Sequence, residues 1–194
     1  MKQVAIIDYG AGNVQSVQFA FERLGIKTDV TSDSSKIQSA SHVIFPGVGH
    51  AKAAKLHLIE TGLIDVIKSL NQPVLGICIG MQLLCNQTEE GQTKGLQIFD
   101  TSVVKFDVDL KVPAVGWAPV KSKNHPLFER LDNEQFYFVH SYYAQESQQT
   151  IGVADYQISY SAALANKNFL GVQFHPERSG KAGEQLLANF LKLS

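Results

Sequence analysis

Short apolar runs alternate with longer amphipathic segments over the first half of the chain. The runs have the length and the β-branched content of buried strands, and they lie at residues 4–8, 26–30, 43–45 and 73–77. Between the first two runs, apolar residues recur at helical spacing, at Val14, Val17, Phe21 and Leu24. The same spacing predicts further helices that end near Leu58 and Leu70. This repetition predicts an α/β fold class in which helices flank a central, mostly parallel sheet.

The pattern changes in the second half of the chain. Short apolar runs alternate with turn residues from 96 to 120, which predicts antiparallel strands that extend the main sheet. Residues 136–143 form an aromatic, strand-like stretch, and residues 151–158 are candidates to pair with it. A last strand at 169–174 precedes a final amphipathic helix. The length is that of one compact unit, and we expect a single domain over residues 1–194.

Composition narrows the classes of partner. The chain has 17 basic and 18 acidic residues without a long run of one sign, so a nucleic-acid partner is not expected. No stretch approaches the ~18 apolar residues of a membrane span, and the amino-terminal run is too short for a secretory signal. Cys78 and Cys85 lie about two turns apart on a predicted helix, too far to bridge. A reducing, cytoplasmic location without membrane contact is therefore expected.

Cys78 is the leading candidate for chemistry. It lies between Gly76 and Gly80, at the end of an apolar run. A nucleophile on a strained strand-to-helix turn projects beyond the sheet edge, and glycines remove the side chains that would collide there. A helix beginning at Ile79 would direct backbone N–H groups at the sulfur, favouring the thiolate and binding an oxyanion. Taken alone, the pattern is equally typical of a cysteine that serves as a small buried hydrophobe.

Glycine-containing loops follow two of the other predicted strands. Ligands of parallel sheets bind beyond the carboxyl ends of the strands, so the loops at 10–12, 47–49 and 78–80 are expected along one edge. The loop at 10–12 lacks the third glycine of a dinucleotide-binding fingerprint. The loop at 47–49 is also compatible with an ordinary tight turn.

The last predicted strand leads into His175-Pro176-Glu177. Pro176 keeps His175 out of the helical region, and residues two apart in an extended segment face the same side, so His175 and Glu177 can pair. A nucleophilic thiol needs a base and a carboxylate that fixes the tautomer of that base, and Cys78 completes this set. Without Cys78, the pair would be typical of a surface loop.

His140 is more typical of a structural histidine, and the scattered histidines have no metal-ligand spacing, so neither a metal nor a cofactor is expected.

These residues resemble the motifs of the class I, or triad, glutamine amidotransferases. The resemblance rests on Gly76-x-Cys78-x-Gly80-x-Gln82 and on His175-Pro176-Glu177. Within this family the chain is similar to the glutaminase subunits of imidazole glycerol phosphate synthase. Four further segments carry that similarity: Asp8-Tyr9-Gly10-x-Gly12-Asn13, Pro46-Gly47-Val48-Gly49, Gly116-Trp117 and Tyr137-Phe138-Val139-His140-Ser141-Tyr142. The resemblance spans essentially the whole chain.

The resemblance implies hydrolysis of L-glutamine to glutamate and ammonia. It also implies a heterodimer with a cyclase subunit, which is a (β/α)₈ barrel. The cyclase would use the ammonia to make imidazole glycerol phosphate and aminoimidazole carboxamide ribotide in histidine biosynthesis. Carried over by position, Cys78 would form a glutamyl thioester, His175 would act as acid and base, and Glu177 would orient His175.

The resemblance implies roles for residues around this triad. Backbone N–H groups at Val48, Gly49 and Ile79 would bind the oxyanion. Substrate contacts are expected from Gly47, Gln82, Glu90, Ser141 and Tyr142. Partner-facing positions are Gly12, Asn13, Trp117 and Arg178. The family further suggests that the free subunit is poorly active until the loop at 47–49 reorients.

The chain departs from the family pattern at three positions expected to face the synthase subunit, namely Ala114, Ala118 and Arg178. Three alternatives stay open: a cysteine hydrolase of another small amide or ester, an amidotransferase subunit that serves a different acceptor, and a non-catalytic binding subunit.

Overall fold

The first half of the fold is a parallel sheet. The structure is a computed structural model, and it describes residues 3–10 and 13–194. The first four strands are β1 (Val4–Ile7), β2 (Thr28–Thr31), β3 (His42–Phe45) and β4 (Val74–Ile77). They lie in the order β2-β1-β3-β4, all parallel. Strands buried on both faces have continuous apolar sequences, which is why the pattern located β1, β3 and β4.

Helices follow each of these strands. They are α1 (Val14–Arg23), α2 (Ser34–Ser39), α3 (Ala51–Glu60), α4 (Leu63–Lys68) and α5 (Ile79–Leu84). The Asn13 side chain caps α1 by accepting a backbone N–H of its first turn. The sequence analysis did not predict α2, which has six residues, begins at the cap Asp33 and buries only Ile37. One buried residue gives no periodic signal.

The second half of the fold is mainly antiparallel. Its strands are β5 (Cys85–Thr88), β6 (Thr93–Lys94), β7 (Phe99–Lys105), β8 (Ala114–Ser122), β9 (Glu134–His140), β10 (Tyr142–Ala144), β11 (Thr150–Tyr156) and β12 (Ile158–Asn166). A 3₁₀ turn, Pro126–Phe128, lies between β8 and β9. Within the described residues, β12, β10, β7, β5 and β6 continue the main sheet in that order. This confirms the predicted extension of a mostly parallel sheet by antiparallel strands.

The last strand joins the two halves. β13 (Phe169–Val172) pairs in parallel with β4 on one side and antiparallel with β12 on the other. It is followed by a 3₁₀ turn, Pro176–Arg178, and by α6 (Gly180–Phe190). Because β4 and β13 are parallel neighbours, the segments that follow them, with Cys78 and His175, emerge at the same edge.

Two local expectations are wrong. Residues 151–158 do not pair with the aromatic stretch: β11 pairs with β12 and β8, and β9 pairs with β8. The chain reverses at Gln157, which has a φ of 57°, so β11 forms a local hairpin with β12. Nor does one helix carry both cysteines, since α5 ends at Leu84 and Cys85 begins β5. Neither cysteine of the described chain forms a disulfide.

The apolar side chains of both halves form one contiguous cluster within the described residues. The parallel strands contribute continuous runs, whereas β7 alternates buried and more exposed positions, as a strand with one face on the core does. None of the helices in the described ranges is long and apolar enough to cross a membrane.

Candidate active site

Cys78 lies on a strained turn between β4 and α5. Its φ of 53° and ψ of −110° lie in a region that residues with a side chain rarely adopt. The Cys78 N–H donates to the Val172 carbonyl at 2.8 Å, which ties the turn to the end of β13. A Cβ at Gly80 would collide with the Phe45 carbonyl oxygen, and one at Gly76 would lie 2.9 Å from the Met81 nitrogen. Both flanking positions therefore require glycine, because backbone atoms of other residues lie where a side chain would begin.

His175 and Glu177 form a buried pair. The Nδ1 atom of His175 lies 2.8 Å from Oε1 of Glu177, and the two side chains are 4% and 3% exposed. The expected reason for this pairing is wrong, because Glu177 lies in the 3₁₀ turn and only His175 has extended backbone angles. The turn brings the carboxylate back onto the imidazole. The backbone of His175 is fixed by Tyr137 and Ser179, which bind its N–H and its carbonyl.

The environment of His175 favours the imidazolium. Burial opposes the charged form, but the interactions with Cys78 and with Glu177 outweigh burial and raise the pKa of His175 to about 10. Nε2 has no hydrogen-bond partner among the described residues, although Cys78 lies within electrostatic reach. His175 can therefore hold a proton beside the sulfur and deliver it from Nε2.

Gln173 is a second neighbour of the sulfur. Its Nε2 atom lies 3.7 Å from the Cys78 Sγ atom, and the residue is completely buried. The Gln82 amide nitrogen lies 2.9 Å from Gln173 Oε1 and 3.1 Å from the Tyr142 carbonyl oxygen. The sequence analysis missed Gln173. A glutamine within an apolar strand, two residues before a candidate histidine, was the available signal.

The predicted oxyanion site is not open in this conformation. The Ile79 N–H donates to the Gly47 carbonyl at 3.3 Å, so this donor is already used. Gly47 packs closely, because a Cβ there would lie 2.7 Å from the Gly80 nitrogen. Val48 is exposed, and Gly49 has a φ of 92° with nothing within 4 Å of the place a Cβ would take. An oxyanion could use Ile79 only after the Gly47 carbonyl turns away.

A single pocket of about 440 Å³ brings most of the predicted site together. All the predicted catalytic, oxyanion and substrate-contacting residues except Gly47 line it. Asn13 and Arg178, expected to face a partner, also line the pocket. Trp117 lies instead on β8 with 56% of its surface exposed, and Gly12 is outside the described residues. Pockets of this size accommodate small ligands.

Two departures from the family pattern have different surroundings. Ala114 is buried and pairs with His140 on β9, so its side chain does not form part of an exposed face. Ala118 is only partly buried and pairs with Phe136. That both positions face the synthase subunit stays a prediction, and at Ala114 it would concern the backbone rather than an exposed side chain.

Glu90 connects the pocket with α3. Its Oε2 atom accepts the Ala51 N–H at 2.6 Å, at the first residue of the helix that follows the loop at 47–49. A carboxylate at a helix N-terminus complements the local positive field. Its other oxygen has no protein hydrogen bond among those found for the described residues. Glu90 can therefore bind a cation in the pocket while it holds the start of α3.

His140 is held as a neutral imidazole. Burial lowers its pKa to about 4, and its Nδ1 lies 2.8 Å from the Tyr142 carbonyl oxygen. Because a carbonyl only accepts, Nδ1 carries the hydrogen, and Nε2 accepts from the Tyr160 hydroxyl at 3.3 Å. These bonds fix the Tyr142 carbonyl at the pocket wall, which is a structural role.

The chain belongs to the class I glutamine amidotransferases. The family model for "Glutamine amidotransferase class-I" matches residues 5–193, and its motif residues meet in the pocket just described. No group of three or more potential metal ligands occurs within the described part of the chain.

Particular relatives share the full length of the chain. It is 49% identical over 195 residues to the imidazole glycerol phosphate synthase subunit HisH of Bacteroides fragilis, covering 98% of this chain and 100% of that protein. The HisH subunit of Haemophilus influenzae is 47% identical over 195 residues, covering 99% and 98% of the two chains. In both comparisons the similarity covers nearly the whole of this chain and of the relative.

Solved structures share the fold at much lower identity. A putative GMP synthase subunit from Thermoplasma acidophilum has a TM-score of 0.76 at 20% identity, covering 99% of this chain and 93% of its own. A structure described as a glutamine amidotransferase has a TM-score of 0.77 at 16% identity, covering 97% of each chain. At these identities the likeness concerns the fold alone, and it confirms the α/β class.

Proposed function

We propose that this chain is the glutaminase subunit of imidazole glycerol phosphate synthase, hydrolysing L-glutamine to glutamate and ammonia. The main support is one observation: Cys78, the His175–Glu177 pair and the expected substrate contacts line one pocket. End-to-end similarity to HisH subunits supports the particular enzyme. We propose further that residues 1–194 act as one domain and that the protein is cytoplasmic.

The first half of the proposed reaction forms a thioester. The Cys78 thiolate attacks the carboxamide carbon of glutamine, and the carbonyl oxygen takes up the negative charge. When the tetrahedral intermediate collapses, the carbon–nitrogen bond breaks and His175 gives its Nε2 proton to the departing nitrogen, which leaves as ammonia. Glu177 holds the imidazole through Nδ1 in the orientation for this transfer.

The second half releases glutamate. His175, now neutral, takes a proton from water, and the resulting hydroxide equivalent attacks the thioester carbonyl. The carbon–sulfur bond breaks, Cys78 leaves as the thiolate, and the imidazolium is restored. No group other than glutamine and water is consumed.

The substrate would be held by its charged ends. Glu90 offers a carboxylate oxygen to the α-ammonium group while it caps α3. Both hydrogens of the Gln82 amide are used by Tyr142 and Gln173, and its Oε1 is buried without a partner among the described residues. Gln82 therefore acts as an acceptor toward a substrate N–H group. Ser141 and Tyr142 supply backbone groups beside it.

The cyclase subunit would dock on the side of the pocket formed by β8. Val115 and Trp117 are 58% and 56% exposed there, and exposed apolar patches mark interaction sites. Pro113, just before β8, and Arg178 both line the pocket, so the docking face adjoins it. Ammonia produced at Cys78 would leave toward that partner.

Partner binding would activate the site through the loop at 47–49. The Ile79 N–H is blocked by the Gly47 carbonyl, which supports the proposal that the free subunit is poorly active. Turning the Gly47 peptide would free this N–H and could add a loop N–H as a second oxyanion donor. The proposal requires that the cyclase and its ligand favour the turned conformation.

The proposed function is tested by labelling with a diazo-ketone analogue of glutamine in the complex with the cyclase barrel. We expect one adduct, located by mass spectrometry at Cys78 and blocked by excess glutamine. Cys85 is the internal control, because burial raises the pKa of its thiol and it lies outside the pocket. Labelling at another site, or turnover of other amides without response to glutamine, would favour a different cysteine hydrolase.

The synthase assignment has a separate test. Glutamate release by the complex should rise when the cyclase ligand is added, whereas the free chain should stay slow. An active glutaminase that neither binds the cyclase nor responds to its ligand would indicate a subunit that serves another acceptor.

A further inference from the structure

A buried amide contacts the sulfur of Cys78 from the segment after β13 that also carries His175. The Gln173 Nε2 atom lies 3.7 Å from Sγ of Cys78, within the range of hydrogen bonds to sulfur, and no part of Gln173 is exposed. We propose that Gln173 is a further catalytic residue, whose amide N–H binds the Cys78 thiolate. The proposal rests on the glutaminase function proposed above, and it adds a group outside the cysteine, histidine and glutamate triad.

One backbone carbonyl fixes which end of Gln173 faces the sulfur. The Tyr142 carbonyl oxygen only accepts, so the Gln82 atom 3.1 Å from it is the amide nitrogen. The same nitrogen lies 2.9 Å from the Gln173 side chain, where an oxygen must face it. The NH₂ group of Gln173 is then the end that faces Sγ. His140 Nδ1 also lies 2.8 Å from the Tyr142 carbonyl oxygen, so this acceptor is held in place and the direction of the whole series of hydrogen bonds is set.

The position of the Gln173 N–H near Sγ suits a thiolate better than a thiol. An amide N–H is a donor, and a donor stabilises a thiolate more than a thiol, because a hydrogen bond to the charged form favours that form. The imidazolium of His175 supplies the second interaction. Gln173 and His175 both follow β13, in the bend after Val172, so both reach Cys78 from one short stretch of chain.

The backbone holds both groups in place. The Gln173 N–H donates to the Ala162 carbonyl at 2.8 Å, and the His175 N–H donates to the Tyr137 carbonyl at 2.9 Å. Neither side chain needs to rearrange to meet the thiolate, so the donor is preorganised.

A purely structural glutamine would also be buried and hydrogen-bonded. The two roles differ in one measurable property. Loss of a structural residue lowers stability, whereas loss of a thiolate donor also raises the pH at which Cys78 becomes reactive.

The test is the pH dependence of Cys78 alkylation by iodoacetamide in Gln173→Met and Gln173→Glu, measured on the full chain. Methionine keeps the length of the side chain without the N–H. Glutamate keeps an oxygen toward Gln82 but places a second, charged oxygen at the sulfur. Hydrogen bonds to charged groups have strengths that correspond to about one to two pKa units, so the midpoint should rise by that amount in Gln173→Met and further in Gln173→Glu.

The matched control is Asn189→Leu. Asn189 is a buried amide on α6 that donates to the carbonyls of Leu127 and Glu129 and does not line the pocket. This variant should lose stability in urea unfolding without moving the alkylation midpoint. Mass spectrometry must locate the adduct at Cys78 rather than Cys85. An unchanged midpoint in a folded Gln173 variant overturns the proposal.

Gln82→Met gives the same measurement if neither Gln173 variant folds. Without the Gln82 nitrogen, the Gln173 oxygen loses the donor that holds it away from the sulfur, so the N–H is no longer preorganised at Sγ. The midpoint should rise, by less than in Gln173→Met, and an unchanged midpoint contradicts the proposal. Alkylation needs neither glutamine nor the cyclase. A chain that failed to hydrolyse glutamine would therefore still report on Gln173, and the two proposals fail separately.

Discussion

The turn that carries Cys78 and the loop at 47–49 meet at the Ile79 peptide, but the structure holds them in different ways. The Cys78 turn is buried, its N–H is bound to Val172, and its flanking glycines pack against backbone atoms. The loop becomes exposed at Val48, and Gly49 has a φ of 92° with free space around it. One side of the pocket is fixed by packing, and the other has room to change conformation.

This difference separates two requirements of catalysis. A thiolate must be stabilised before substrate arrives, and its proposed partners, Gln173 and His175, are held in the segment directly after β13. The oxyanion exists only during the reaction, and the donor proposed for it, the Ile79 N–H, is covered by the Gly47 carbonyl. Control through the loop leaves the nucleophile intact, so a free subunit can be reactive toward alkylation and still slow with glutamine.

The largest expected effect comes from removing the nucleophile on the fixed side. Cys78→Ala should lower glutamate release by the cyclase complex by at least about 10⁴-fold, because the thioester cannot form. Cys85→Ala is the matched control, since Cys85 is the other buried cysteine and lies outside the pocket. Comparable rates in the two variants would remove Cys78 from the mechanism.

Glu177→Gln tests the orientation of the imidazole. The amide can still accept from Nδ1 but carries no charge, so we expect turnover in the complex to fall by about 10²- to 10⁴-fold. The pKa of His175, about 10 in the native protein, should fall, because the carboxylate is one of the groups that raise it. Imidazole nitrogen shifts in an NMR titration measure this change. A native pKa of His175 in the variant would contradict the assigned role of Glu177.

The parts of the site that were predictable from sequence have local signals. Glycines flank Cys78, and a proline follows His175. The role of Gln173 could not be read in the same way, because the direction of its amide depends on the Tyr142 carbonyl, which lies on another strand. The state of the Gly47 peptide depends on a contact with Ile79 rather than on its own sequence.

The fold predictions also divide into features with a local sequence signal and features that depend on contacts elsewhere in the chain. Buried parallel strands were located by their apolar runs, and the helix at α1 by its period. Pairing in the second half was assigned wrongly because alternating strands carry little information about their neighbour, whereas the turn at Gln157 decides it. The short α2 depends on the cap Asp33 and on packing of one residue, Ile37.

Substitution of Gly80 and of Gly49 by alanine compares the fixed and the adjustable side of the pocket directly. A Cβ at Gly80 meets the Phe45 carbonyl, so Gly80→Ala should displace the turn, destabilise the protein by about 1–3 kcal/mol and slow Cys78 alkylation. Gly49→Ala meets no atom, and only its positive φ is strained, by about 1–2 kcal/mol.

The two variants therefore have different signatures. Gly49→Ala should leave alkylation near the native rate. Its strain belongs to the described conformation, in which the Ile79 N–H is blocked, so the variant should favour the turned loop and raise glutamate release by the free chain by about 5- to 30-fold. Urea unfolding, iodoacetamide kinetics and glutamate release measure the three quantities. Slower alkylation in Gly49→Ala, or native alkylation in Gly80→Ala, would break the distinction between a fixed and an adjustable side.

The smallest expected effect is a gain of activity in the free subunit. The Tyr9 hydroxyl is buried and donates to the Pro46 carbonyl at 2.8 Å, which anchors the loop in the conformation that blocks Ile79. Losing one such bond is worth about 1 kcal/mol, so Tyr9→Phe should raise glutamate release by the free chain up to about fivefold, with little change in the complex. Tyr156→Phe is the control, because it removes a tyrosine hydroxyl bonded to the Lys111 carbonyl, away from the pocket. An unchanged or lower rate in folded Tyr9→Phe would mean that this anchor does not hold the loop in its blocked state.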